Sequence, residues 1–137
     1  ISDNTELLLM FSSRSELINH IAKSKADYIL LDRYYDASIA YQGYGRGISL
    51  ELINSLIDLI NCPEPDSTIL LDLSIEDSIK RKITDKKDRI ESSGINFFDK
   101  VRNGYLKLAS DHPKRFLVID ALLDKEYIHK LIVEKIK

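Results

Sequence analysis

The sequence has no tryptophan, one cysteine (Cys62), one methionine (Met10), three prolines and five glycines in 137 residues. A single cysteine cannot form an internal disulfide, so a reducing, cytoplasmic setting is the expectation. So little glycine and proline leaves no collagen-like, linker-like or low-complexity stretch. Long apolar runs are also missing. The longest, Leu7 to Phe11, has five residues, against about 20 for a helix that spans a bilayer. No charged-then-apolar leader with a small-residue cleavage site opens the chain. Neither sign of charge dominates: 20 Lys and Arg stand against 22 Asp and Glu, without the basic excess of a dedicated nucleic-acid binder. These absences exclude membrane, secreted, fibrous and disordered classes. What is present, 44% hydrophobic residues in a chain of this length, suffices for one domain with a core. The first residue is Ile1 rather than Met, which raises the expectation of a longer parent chain.

Three apolar runs, Tyr28 to Leu31, Thr68 to Leu71 and Phe116 to Ile119, do not alternate polar and apolar, as suits strands of a parallel sheet covered on both faces. Each leads into an aspartate, Asp32, Asp72 or Asp120, at the strand end beyond which ligands sit in open α/β sheets. Between them lie helical patterns. Asp3 with Glu6 resembles a capping box for a helix running to about Lys25. Ser49 caps a helix over residues 50–61 that Pro63 and Pro65 bring to a stop. Ser74 with Asp77 caps a helix to about Ile83. Phe97, Val101, Tyr105 and Leu108 space another, and Asp124 opens the last. The expected order is helix-strand-helix-helix-strand-helix-helix-strand-helix, a doubly wound α/β sheet in a single domain, residues 1–137.

Residues 80–91 (KRKITDKKDRIE) carry Lys80, Arg81, Lys82, Lys86, Lys87 and Arg89. They read either as a solvated helix end and loop, or as a mobile basic flap closing over an anionic ligand. The other chemically loaded stretch follows the first run: Asp32-Arg33-Tyr34, then Ser38, Tyr41-Gln42-Gly43 and Gly45-Arg46-Gly47. A strand-ending arginine can grip a phosphate with its planar fork. The glycines by themselves need mean no more than a tight turn.

Taken together, residues 32–48 (DRYYDASIAYQGYGRGI) closely resemble the thymidylate kinase family of nucleoside monophosphate kinases. Residues 7–17 (LLLMFSSRSEL), 63–73 (PEPDSTILLDL), 88–109 (DRIESSGINFFDKVRNGYLKLA) and 115–121 (RFLVIDA) resemble further segments of that family, in order. The resemblance implies a P-loop NTPase-like fold with three of about five strands present here. It also implies phosphoryl transfer from Mg-ATP to dTMP, giving dTDP and ADP, with Mg2+ and ATP as cofactor and co-substrate and a homodimer as the assembly. Neither nucleic acid nor membrane is implied as a partner. By the same resemblance, Phe11 stacks the thymine ring and Arg14 bonds its carbonyl edge. Arg33 holds the substrate phosphate, and Asp32 is the acidic partner near metal and phosphates. Ser38, Tyr41 and Gln42 line the deoxynucleoside pocket. The lid, at about residues 80–92, offers Arg81 or Arg89 to neutralise charge during transfer, and Glu91 to position Arg89 or the substrate. The match is to the bacterial, lid-arginine kind.

One departure is large. The family's GxxxxGK(S/T) loop, which cradles the ATP phosphates, is absent, and glycines 43, 45, 47, 94 and 104 cannot form it. The expectation is the C-terminal two-thirds of a kinase, inactive alone. Rival readings are another P-loop nucleoside or nucleotide kinase, or a catalytically dead remnant serving as a binding or dimerisation module. His20, His112, His129 and Cys62 lack the spacing of a metal site, and Cys62 has no basic neighbour in sequence to activate it.

Overall fold

The computed structural model describes residues 1–84 and 92–137, without the side chains of 82–84, 92 and 93. These residues form two compact units, Ile1–Glu64 and Pro65–Lys137, which meet in sequence at the Pro63-Glu64-Pro65 run.

The first unit opens with helix α1 (Asp3–Lys23). Its N-cap is Ser2, whose hydroxyl accepts the Thr5 N–H at 3.2 Å. The cap therefore sits one residue earlier than the Asp3 expected, because a serine oxygen caps as well as a carboxylate. Asp3 and Glu6 remain in the first turn, where negative charge suits the helix dipole. Leu7, Phe11, Arg14 and Ile18 are buried, at steps of four, three and four that make one helical face.

Tyr28 to Leu31 is the main correction to the expected fold. No strand partner pairs with it among the described residues, which contain a two-stranded sheet rather than three strands. Its residues are 64%, 43%, 84% and 38% exposed. An apolar run becomes a strand only when a neighbour takes up its N–H and C=O groups.

Beyond it, helix α2 (Tyr35–Ser38) continues directly into a π-helix (Ile39–Gly45). The Arg46 N–H bonds the Tyr41 carbonyl, five residues back, at 2.9 Å. Gly43 lets this helix lie close to α3 (Leu50–Leu59): a Cβ there would meet Leu50 Cδ2 at 2.5 Å and Ile53 Cδ1 at 3.3 Å. Gly47 takes the left-handed turn, φ +77°, that glycine adopts without strain. Ser49 caps α3 through the Leu52 N–H. The helix ends on Asn61, at φ +52°, with Cys62 N–H on the Ile57 carbonyl and Asn61 N–H on that of Asp58. That is a Schellman ending, so the stop comes from asparagine before the prolines act. Leu8, Leu9, Leu17, Leu52 and Leu59 remain exposed. Leu8, Phe11, Leu56, Leu59 and Ile60 line an open groove along α1 and α3.

In the second unit, β1 (Thr68–Asp72) and β2 (Phe116–Asp120) pair in parallel, with Thr68 opposite Phe116 and Asp72 opposite Asp120. Arg115 pins the N-terminal end: its carbonyl accepts the Thr68 N–H at 2.9 Å and its Nη1 donates to Thr68 Oγ1 at 2.7 Å. Helix α4 (Ile75–Thr84) opens on Ser74, which accepts the Asp77 N–H and donates to Asp77 Oδ2 at 2.7 Å. Residues 80–84 end this helix, one residue beyond the expected stop at about Ile83; residues 85–91, the rest of the basic run, lie outside the described residues. Helices α5 (Ser92–Asp111) and α6 (Lys125–Ile136) complete the unit, with Asp124 capping α6 through the N–H groups of Glu126 and Tyr127. No helix among the described residues is long and apolar enough to cross a membrane.

Candidate functional site

Helix α1 and the α2–π segment bring together the residues the sequence singled out in the first unit. Arg14 lies on the buried face of α1 with its guanidinium carbon 4.7 Å from the Phe11 ring centroid and 5.9 Å from that of Tyr34. Its Nη1 donates to Ser38 Oγ at 3.1 Å and its Nη2 to the Tyr34 carbonyl at 3.3 Å. Both acceptors are neutral, and no carboxylate pairs with Arg14 among the described residues. Burial holds the guanidinium below its usual pKa, and the neighbouring Cys62 and Tyr34 oppose that shift. Ser38 is fully buried, so its hydroxyl holds the arginine here.

Tyr34 belongs to the chemically loaded stretch but has no role readable from sequence. Its hydroxyl is buried against Cys62 without a hydrogen bond of good geometry, and burial, then the thiol, pushes its ionisation up. Burial likewise pushes the Cys62 thiol up, partly offset by the Tyr34 hydroxyl and by Arg14. A cation does stand near this cysteine, brought by folding from a distant part of the sequence. The net shift is still upward, so the thiol is not activated.

A second pair lies at the start of the segment. Arg33 stands at φ +59°, a left-handed conformation that costs a non-glycine residue roughly 1 kcal/mol or more and gathers at functional sites. Its guanidinium lies 4.8 Å from the Tyr41 ring centroid and donates to the Tyr41 hydroxyl at 3.2 Å. Asp32 and Arg33 are exposed. Gln42 is buried and donates its Nε2 to Glu6 Oε1 at 2.7 Å, while its Oε1 has no donor. Glu6, read from sequence as half of a capping box, instead ties α1 to the π-helix. Its place beside the buried face of α1 was the only available signal.

In the second unit, Arg102 on α5 bonds Asp72 at the end of β1 through Nε at 2.8 Å and Nη2 at 3.0 Å. These bonds hold the Asp72 carboxyl below its ordinary range. Asp120 accepts the Leu122 N–H and closes a turn. Arg81 donates to the Ala121 carbonyl at 3.1 Å. Arg89 and Glu91 lie outside the described residues, as does most of the lid. No cluster of three His, Cys, Asp or Glu side chains able to hold a metal occurs among the described residues.

Comparison with known proteins bears on this geometry. The family model for thymidylate kinase matches residues 1–132. The chain is 43% identical to a thymidylate kinase from Prosthecochloris aestuarii, over 96% of this chain and 65% of the relative. It is 45% identical to one from Sulfurihydrogenibium, over 96% of this chain and 66% of the relative. It thus spans about two-thirds of the length of the curated relatives it matches. The crystal structure of thymidylate kinase from Ehrlichia chaffeensis superposes with a TM-score of 0.74 at 27% identity, covering 99% of this chain and 66% of that one. This fold is the α/β P-loop NTPase type. With nearly every residue under the family model and relatives above 40% identity along almost its whole length, this chain belongs to the thymidylate kinase family.

Proposed function

We propose that residues 1–137 form the acceptor side of an ATP-dependent dTMP kinase, acting with a phosphate-binding loop that lies outside these residues. The observation that carries the reading is Arg14, a buried cation laid against an aromatic ring and held only by neutral acceptors. Such a fork offers donors to the carbonyl edge of a flat base. In the reaction, an oxygen of the dTMP 5′-phosphate attacks the γ-phosphorus of ATP, the bond to the β-phosphate oxygen breaks, and ADP leaves. Arg33 grips the acceptor phosphate, Tyr41 steadies Arg33, and Asp32 stands beside it. Phe11, Arg14, Ser38 and Gln42 frame the base. Arg81 or Arg89 offsets the charge on the migrating phosphoryl group, with Glu91 positioning Arg89 or the substrate. Mg-ATP is the co-substrate. Residues 1–137 do not include the loop that cradles its phosphates, so beyond Asp32 and the lid arginines no residue of this chain is assigned to them.

The exposed leucines of α1 and α3 support a homodimer through that face, and the composition supports a cytoplasmic setting. The alternatives, another nucleotide kinase or a dead remnant, are not favoured by family membership. Calorimetric titration with dTMP, dCMP and ATP tests the reading. Binding of dTMP in preference to dCMP is expected, with little for ATP. A chain that binds none of them is the remnant.

A further inference from the structure

Gln42 is 2% exposed, with its amide nitrogen 2.7 Å from a Glu6 oxygen. A carboxylate has no proton to give, so the atom facing it must be the amide NH2. The orientation of the amide is thereby fixed. Gln42 Oε1 is left pointing away from Glu6, buried and without a donor. An acceptor in that state is destabilising unless a donor arrives to meet it.

We propose that Glu6 is a positioning residue for base selectivity: by holding Gln42 Nε2, it keeps Gln42 Oε1 facing the ligand as an acceptor for a pyrimidine ring N–H. This rests on the acceptor-site reading above. Thymine and uracil present a donor at N3 beside an acceptor at O4. Cytosine presents an acceptor at N3 beside an amino donor. A site made of the Arg14 donors and one fixed Gln42 acceptor complements the first pattern and opposes the second. A freely turning Gln42 loses half of that opposition, because its NH2 can then face the cytosine N3. Glu6 touches no ligand in this scheme. Its effect passes through the amide, which separates it from a residue that only ties α1 to the π-helix.

The test is calorimetric titration of dTMP and dCMP into the unaltered chain and into Glu6→Gln and Glu6→Leu. Glu6→Gln keeps the size of the side chain but accepts either orientation of Gln42. The dTMP-over-dCMP affinity ratio should fall about threefold to tenfold, the span of one lost hydrogen bond, while the thermal midpoint barely moves. Glu6→Leu should lower the ratio at least as far. A ratio unchanged in Glu6→Gln overturns the inference even if stability falls, and leaves the site reading intact. An unaltered chain that does not prefer dTMP overturns the site reading, and the inference with it.

Discussion

Two arginines divide the molecule into contrasting regions. Arg102 meets Asp72 through two hydrogen bonds, and its pKa is raised by that carboxylate. Arg14 is more deeply buried, meets a hydroxyl and a backbone carbonyl, and has its pKa lowered by desolvation. The first charge is already neutralised, so its pair joins the end of β1 to α5. The second has been taken out of water without a counter-charge, which costs free energy until an acceptor arrives. Where a fold leaves such a charge open, ligand is the natural partner. Where it closes the charge with a carboxylate, the work is structural.

The sharpest way to break this contrast is to remove each charge and measure ligand. Arg14→Ala should weaken dTMP binding by about tenfold to a hundredfold, the equivalent of roughly 1–3 kcal/mol. Arg102→Ala should change it less than about twofold, and similar losses in both variants would erase the distinction. The reverse holds for stability. Arg102→Ala should cost about 1 kcal/mol, discounted for partial exposure, read from the midpoint of urea unfolding.

A pH series refines that second value. Asp72 has a lowered pKa in the folded state, so the folded state holds its proton less tightly than the unfolded chain. Its contribution is present above the ordinary carboxylate range and is lost as pH falls through the folded value. Unfolding midpoints of the unaltered chain and of Arg102→Ala should therefore differ at neutral pH and converge in acid. A constant gap would assign the effect to packing. The smallest expected effect is at Cys62. Because Arg14 lowers the thiol pKa and burial raises it, Arg14→Met should slow alkylation by iodoacetamide by a few-fold at most. Faster alkylation would mean that the cation is not acting on the thiol.

Much of this was readable from local sequence. Ser49, Ser74 with Asp77, and Asp124 announce their helices because a cap and its target lie within three residues. The runs at Thr68 and Phe116 are strands as expected. Phe11 and Arg14 lie on one face of α1 because three residues make nearly a full turn. What sequence did not disclose depends on partners far along the chain. Tyr28 to Leu31, like Phe116 to Ile119, is an aromatic followed by three aliphatics, but it finds no ladder among the described residues. Glu6 reaches Gln42 across 36 positions, and Arg102 reaches Asp72 across 30. The family resemblance pointed to candidate site residues but gave no role to Tyr34 or Glu6, which touch Arg14 and Gln42.

The π-helix from Ile39 to Gly45 carries a consequence for how this segment tolerates change. It lies just beyond Ser38, which faces Arg14, and includes Gln42, which faces Glu6. The wider turn of a π-helix accommodates an extra residue relative to an α-helix. A turn already widened in this way cannot absorb one more residue, so an insertion between Ser38 and Gln42 would turn everything beyond it by about 100°. Gln42 would swing away from Glu6 without any change in its own identity. The segment is thus constrained in length as well as in composition: an insertion before Gln42 misaligns the two halves of the site.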